Sequence, residues 1–106
     1  MNRPKLIIIH GLNNTPEAFF SLGRSFEDHF QVIYFKLPQH GQLPRSFHFQ
    51  HAIDQFVQEL TTQLDQETSI ISYSLGCAYL QYALEQHLIT CTLRRIIYLS
   101  PAIKTK

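Results

Sequence analysis

Aliphatic residues arrive along this chain in short bursts, and between the bursts lie longer stretches whose apolar positions recur with a helical period. Lys5 to Ile9 holds Leu6-Ile7-Ile8-Ile9. Consecutive branched side chains leave neither face polar, which marks a strand buried in a parallel sheet. Gln31 to Phe35, with Val32-Ile33-Tyr34 at its centre, predicts a second strand. Two more are predicted over 68–72 and 93–99. Between the first two, Asn13-Asn14 predicts a turn, and Thr15-Pro16-Glu17 supplies an N-cap, a proline at the first helical position and an early acid. That helix is expected to run to about Phe26, with Phe19, Leu22 and Phe26 on one face and Gly23 weakening it by ~1 kcal/mol relative to alanine. Pro38, Gly41 and Pro44 break the segment after the second strand into a loop. Over 48–64, Phe49, Ile53, Phe56, Val57, Leu60 and Leu64 repeat at helical spacing, the clearest amphipathic pattern in the chain. A third helix is predicted over 75–87.

Strands and helices thus alternate throughout. Alternation of this kind implies right-handed crossovers and a parallel sheet with helices on both faces, an α/β fold. There is no internal repeat, low-complexity tract or composition shift, so 1–106 reads as a single domain. A chain of 106 residues buries only ~65% of the surface its unfolded form exposes, and the core will be thin.

Composition narrows the classes of function. With 44% hydrophobic and 16% charged residues the chain is globular in character. A net charge of +1 gives no electrostatic reason to expect nucleic acid as a partner. The run Leu6 to Ile9 is far shorter than the ~20 residues that span a bilayer, and no membrane span is expected. Nor does it read as a secretion signal, since it ends in His10-Gly11 without a small-residue cleavage site. Cys77 and Cys91, the only cysteines, make neither a disulfide framework nor a metal-binding spacing. A cytoplasmic setting is therefore expected. Neither a Gly-x-Gly-x-x-Gly turn nor a phosphate-cradling Gly-x-x-x-x-Gly-Lys loop is present, and no cofactor or metal is expected.

Candidate chemistry gathers at Ser74. The run Ile70-Ile71-Ser72-Tyr73-Ser74-Leu75-Gly76-Cys77-Ala78 takes an apolar strand into a small-x-Ser-x-Gly turn with a helix-forming segment behind it. A tight strand-to-helix turn presses the residues two before and two after the serine together, so both must be small, and here they are Ser72 and Gly76. The serine hydroxyl is then held at the rim of the sheet beside a helix N-terminus. Upstream, the strand ending at Ile9 runs into His10-Gly11-Leu12-Asn13-Asn14.

Together, in this order, the two motifs resemble the α/β-hydrolase family. The resemblance implies Ser74 as the catalytic nucleophile and an oxyanion hole formed by the backbone N–H groups of Leu12 and Leu75, with His10 and Gly11 shaping the loop that holds Leu12. It also implies the spatial strand order 2-1-3-4. Leu37-Pro38-Gln39-His40-Gly41 follows the second strand where many members carry an Asp-x-Pro-Gly-x-Gly-x-Ser loop, but Lys36, Gln39 and Leu43 depart from that pattern. This loop supports the topology and not the chemistry. Ile96-Ile97-Tyr98-Leu99-Ser100-Pro101-Ala102 is similar to the strand after the nucleophile's helix. The likeness covers nearly the whole chain but only about the first half of the family's usual domain, a truncated α/β-hydrolase core.

The family's acid and histidine follow the serine in sequence. Downstream of Ser74 the acid is Glu85 and the histidine is His87, both in the helix that leaves the turn and roughly 15 Å or more from the serine at 1.5 Å per residue. They are not expected to serve it. Two readings follow: a serine hydrolase of esters, thioesters or amides, taking a small acyl substrate once completed by acid and base from a missing segment or second half, or an inactive remnant or interaction module that keeps the fold. The strand Arg95–Leu99 would then be an apolar edge, inviting self-association or a complementing chain.

The remaining candidates have plainer readings. His48 and His51, three apart on a helix, lack a third metal ligand and read as a solvated face. His40 and Asn13-Asn14 read as turn residues. Cys77 reads as a small buried packing residue rather than a redox group.

Overall fold

The structure is a computed structural model that describes residues 3–10, 16–37 and 49–99. Four strands form one parallel sheet: β1 (Lys5–Ile9), β2 (Gln31–Phe35), β3 (Ser69–Tyr73) and β4 (Arg95–Leu99). Their spatial order is β2-β1-β3-β4, the 2-1-3-4 order expected. In register, Ile7 faces Ile33 on one side and Ile70 on the other, and Ile71 faces Ile97.

Each strand's alternation sends one row of side chains to each face. On one face Ile7, Ile9, Phe35 and Ile70 meet Ile53, Phe56 and Leu60 of α2 (Phe49–Thr61) and Tyr79, Leu80 and Ala83 of α3 (Leu75–Glu85). On the other, Leu6, Ile8 and Ile71 are covered by Phe19, Leu22, Phe26 and Phe30. Ile7, Ile9, Ile53, Phe56, Leu60 and Ile70 are fully buried, each worth about 1.5–3 kcal/mol by burial. The fold therefore rests on the α2–α3 face.

The first helix differs most from its expected form. A 3-10 turn at Pro16–Phe19 precedes α1 (Phe20–Arg24), and hydrogen-bonded turns carry the chain on to Phe30. Gly23 is the reason the helix packs as it does: a Cβ there would overlap the ring and hydroxyl of Tyr34. Glycine lets β2 and α1 touch. Thr15, expected as the N-cap, lies outside the described residues, as do Gly11, Leu12, Asn13-Asn14, His40 and His48.

The second helix stops at Thr61 rather than 64. Leu64 still packs against the core, from a turn closed by its N–H on Thr61 O at 3.2 Å. Asp65 then caps the approach to β3. Its carboxylate accepts Thr68 Oγ1–H and the Glu67 N–H, both at 2.9 Å, and these bonds hold it below the usual carboxylate range. No helix among the described residues is long and apolar enough to cross a membrane.

Candidate functional site

β3 ends at Tyr73, α3 begins at Leu75, and the whole reversal falls on Ser74. Its backbone sits at φ 51°, ψ −116°, a left-handed conformation that costs a residue with a Cβ about 1–3 kcal/mol and persists only where the surroundings over-determine it. They do so here from both sides. The Ser74 N–H donates to Leu99 O of β4 at 3.1 Å, and Ser74 O accepts the Cys77 N–H at 2.9 Å as the first turn of α3 closes.

The flanking positions are as small as the turn requires. Gly76 is buried against the end of β1: a Cβ on it would stand 2.6 Å from Ile9 Cγ2, 2.8 Å from the His10 carbonyl oxygen and 3.0 Å from Ser72 Oγ. Ser72 is wholly buried, and among the described residues its hydroxyl has no hydrogen-bond partner. Ser72 is there for its size and not for its oxygen. Ser74 itself is half-buried. Leu75, as the first residue of α3, has a backbone N–H without an intrahelical acceptor, one of the orphan donors every helix start leaves.

Two neighbours fix the frame. His10 is fully buried at the end of β1, and its Nε2 accepts the Leu37 N–H at 2.9 Å, tying the ends of β1 and β2 together. The Cys77 thiol donates to Ser72 O at 3.0 Å, and Leu99 O lies 3.8 Å from the same sulfur. Burial pushes that thiol's pKa up. Cys77 is thus a packed thiol spanning the ends of β3 and β4, as a small buried residue should be. The bond from Ser74 N–H to Leu99 O was not legible in the sequence, since it depends on the β3–β4 register.

Glu85 and His87 are not brought to the serine. Glu85 is the last residue of α3, and His87 sits just beyond it at φ 59°. There the Leu88 N–H bonds Ala83 O at 2.9 Å and the His87 N–H bonds Leu84 O at 3.1 Å, the paired bonds that close a helix with a left-handed residue. His87 is a helix stop. Among the described residues no group of three or more His, Cys, Asp or Glu side chains is placed to hold a metal ion.

The strain at Ser74 has a measurable consequence. Ser74→Gly is expected to raise stability by about 1 kcal/mol, the relieved strain exceeding the cost of glycine's greater unfolded-state freedom. Ser74→Ala, which keeps a Cβ, is expected to leave it unchanged. Urea denaturation of the two variants side by side checks this, and equal midpoints would contradict the strained turn.

No protein-family model matches the sequence, and no curated protein is significantly similar to it. Among solved structures the chain is similar to the ydeN gene product of B. subtilis, a protein of α/β-hydrolase-like fold, with a TM-score of 0.65 and 22% identity. The match covers 90% of this chain and 50% of that one. At this identity the likeness carries the fold alone: the four-stranded sheet and its helices match part of an α/β-hydrolase-like core, and this chain spans about half the length of that structure.

Proposed function

We propose that this chain carries the nucleophile half of an α/β-hydrolase-type serine hydrolase acting on a small ester, thioester or amide. Ser74 Oγ attacks the acyl carbon and passes its proton to a histidine that, with its orienting acid, comes from a segment beyond these residues. The alkoxide, thiolate or amine leaves protonated, and water then cleaves the acyl-serine ester. The N–H groups of Leu75 and Leu12 receive the negative oxygen of each tetrahedral intermediate. Leu12 enters by resemblance, as it lies outside the described residues.

The observation that carries this reading is the left-handed Ser74 backbone between two residues pressed to contact. Strain is retained where an exposed side chain must be aimed, and a helix start alone needs none of it. A second reading, a scaffold that keeps the fold without catalysis, draws on the position of Glu85 and His87 at the far end of α3.

A fluorophosphonate probe separates the two. Oxyanion donors and binding alone retain ~10³-fold catalysis in serine proteases stripped of triad members, so slow labelling of the folded chain is expected, lost in Ser74→Ala. Folded chain that takes up no probe over hours would leave the scaffold reading.

A further inference from the structure

Of the histidines the structure describes, His29, His51 and His87 are exposed and His10 is fully buried. Its Nε2 accepts the Leu37 N–H at 2.9 Å, and an imidazole nitrogen accepts only while it carries no proton. The ring is therefore neutral, with its hydrogen on Nδ1. A proton on Nε2 would set a second N–H against that of Leu37 and turn the bond into a repulsion.

It would also create a charge with no buried counter-charge. All eight Asp and Glu side chains of the sequence belong to the described residues, and all are exposed. On the elements packed at this end of the sheet the charged side chains among the described residues are Glu17, in the 3-10 turn against β1, and Lys36, beside Leu37, and both are open to water. The turn between β3 and α3 brings two more titratable groups, Tyr73, whose ring lies against Phe19, and the Cys77 thiol, which donates to Ser72 O. The segment 38–48 contains His40, Arg45 and His48 and no acid. The carbonyl oxygen of His10 lies against Gly76 in the first turn of α3, the positive end of that helix, which disfavours a cation beside it. Burial, the Leu37 bond and the helix all favour the neutral ring.

We propose that His10 is an acid-release latch: its neutral ring fastens the end of β1 to the end of β2, and a proton on Nε2 parts them. The unfolded chain takes up that proton near the ordinary imidazole value of about 6.5, and the native chain does not. The latch is therefore fully effective above that pH, and below it the folding constant falls about tenfold per pH unit. What parts lies beside the candidate site, since Gly76 packs on the end of β1 and the residues that follow His10 include Leu12. With Ser74 and Leu12 in the roles proposed above, acid would unmake the oxyanion hole; the latch itself stands without those roles.

His10→Gln places an amide oxygen where Nε2 stands, an acceptor that does not titrate. Between about pH 7.5 and pH 5 the folding constant of the native chain, from urea denaturation, is expected to fall about 30-fold further than that of His10→Gln, the loss that one histidine held neutral produces over that interval. Ring nitrogen NMR of the folded native chain needs no variant. There His10 is expected to keep the neutral Nδ1–H form down to about pH 5. A His10 ring that takes up a proton above about pH 6 in the folded chain, a hydrogen found on Nε2, or folding constants of native chain and variant that fall in parallel would overturn the latch. Neither readout passes through Ser74, so a failed latch leaves the nucleophile reading intact, and a chain that takes up no fluorophosphonate leaves the latch intact.

Discussion

Phe56→Ala is expected to destabilise this protein by about 3–5 kcal/mol, the range for removing a large aromatic from a packed core. Phe56 is fully buried on α2, and its ring is the hinge of the larger core. One edge-on contact reaches Phe35 of β2 with centroids 5.6 Å apart, and another reaches Tyr79 of α3 at 5.5 Å. The void would open where strand and both helices meet, and none of the three can close it without moving the others. A domain of this size has only about 5–15 kcal/mol to lose, so the midpoint of thermal unfolding should fall by roughly 12–40 °C at 4–8 °C per kcal/mol. Phe20→Ala is the comparison. Phe20 also makes an edge-on ring contact, to Tyr34 at 4.7 Å, but is 38% exposed, and its loss should cost a third as much or less. Calorimetry of both variants decides whether the α2–α3 face carries the fold.

What made this architecture readable was the coincidence of local patterns with the faces they occupy. Ile7 and Ile9 on one side and Leu6 and Ile8 on the other are all buried, as an unbroken aliphatic run demands of a central parallel strand. In the apolar stripe of α2, Ile53, Phe56 and Leu60 likewise lie innermost in the core, with Val57 packed against it. Strand order was different in kind. Periodicity says that strands exist but not which are neighbours, and the 2-1-3-4 order came from the likeness of the two motifs to a known family.

Where the sequence was silent, a partner distant along the chain was responsible. Gly23 reads locally as a weak point in a helix, yet it exists to admit Tyr34, and nothing near residue 23 announces that. His10 reads as part of a loop motif, and its buried bond to the Leu37 N–H appears only once β1 and β2 are side by side. At the site, the small residues around Ser74 were legible because the turn imposes its demand within five residues. The Leu99 carbonyl that restrains the turn belongs to another strand and was not.

Gly76→Ala decides between the two meanings of that turn, because they predict opposite signs. If Ser74-Leu75-Gly76 were only the start of a helix, replacing a glycine in its first turn would stabilise the protein by about 1 kcal/mol. The packing says otherwise. The methyl would lie 2.6 Å from Ile9 Cγ2, 2.8 Å from the His10 carbonyl oxygen and 3.0 Å from Ser72 Oγ. A side-chain methyl and a hydroxyl can rotate away. The His10 oxygen cannot, since it follows directly on β1, whose Ile9 is in register with both Phe35 and Ser72, and since its own imidazole is tied to Leu37. The start of α3 must therefore lift from β1, at a cost toward the upper end of the 1–3 kcal/mol typical of overpacking. As it lifts, the Ser74 backbone leaves the conformation that aims its hydroxyl, and fluorophosphonate labelling should fall with stability. Ser72→Ala is the control at the other side of the contact: it removes a buried hydroxyl that has no partner among the described residues, and stability should hold or rise slightly. A Gly76→Ala protein more stable than the parent would reduce the Ser74 turn to an ordinary helix start, and the proposed chemistry would go with it.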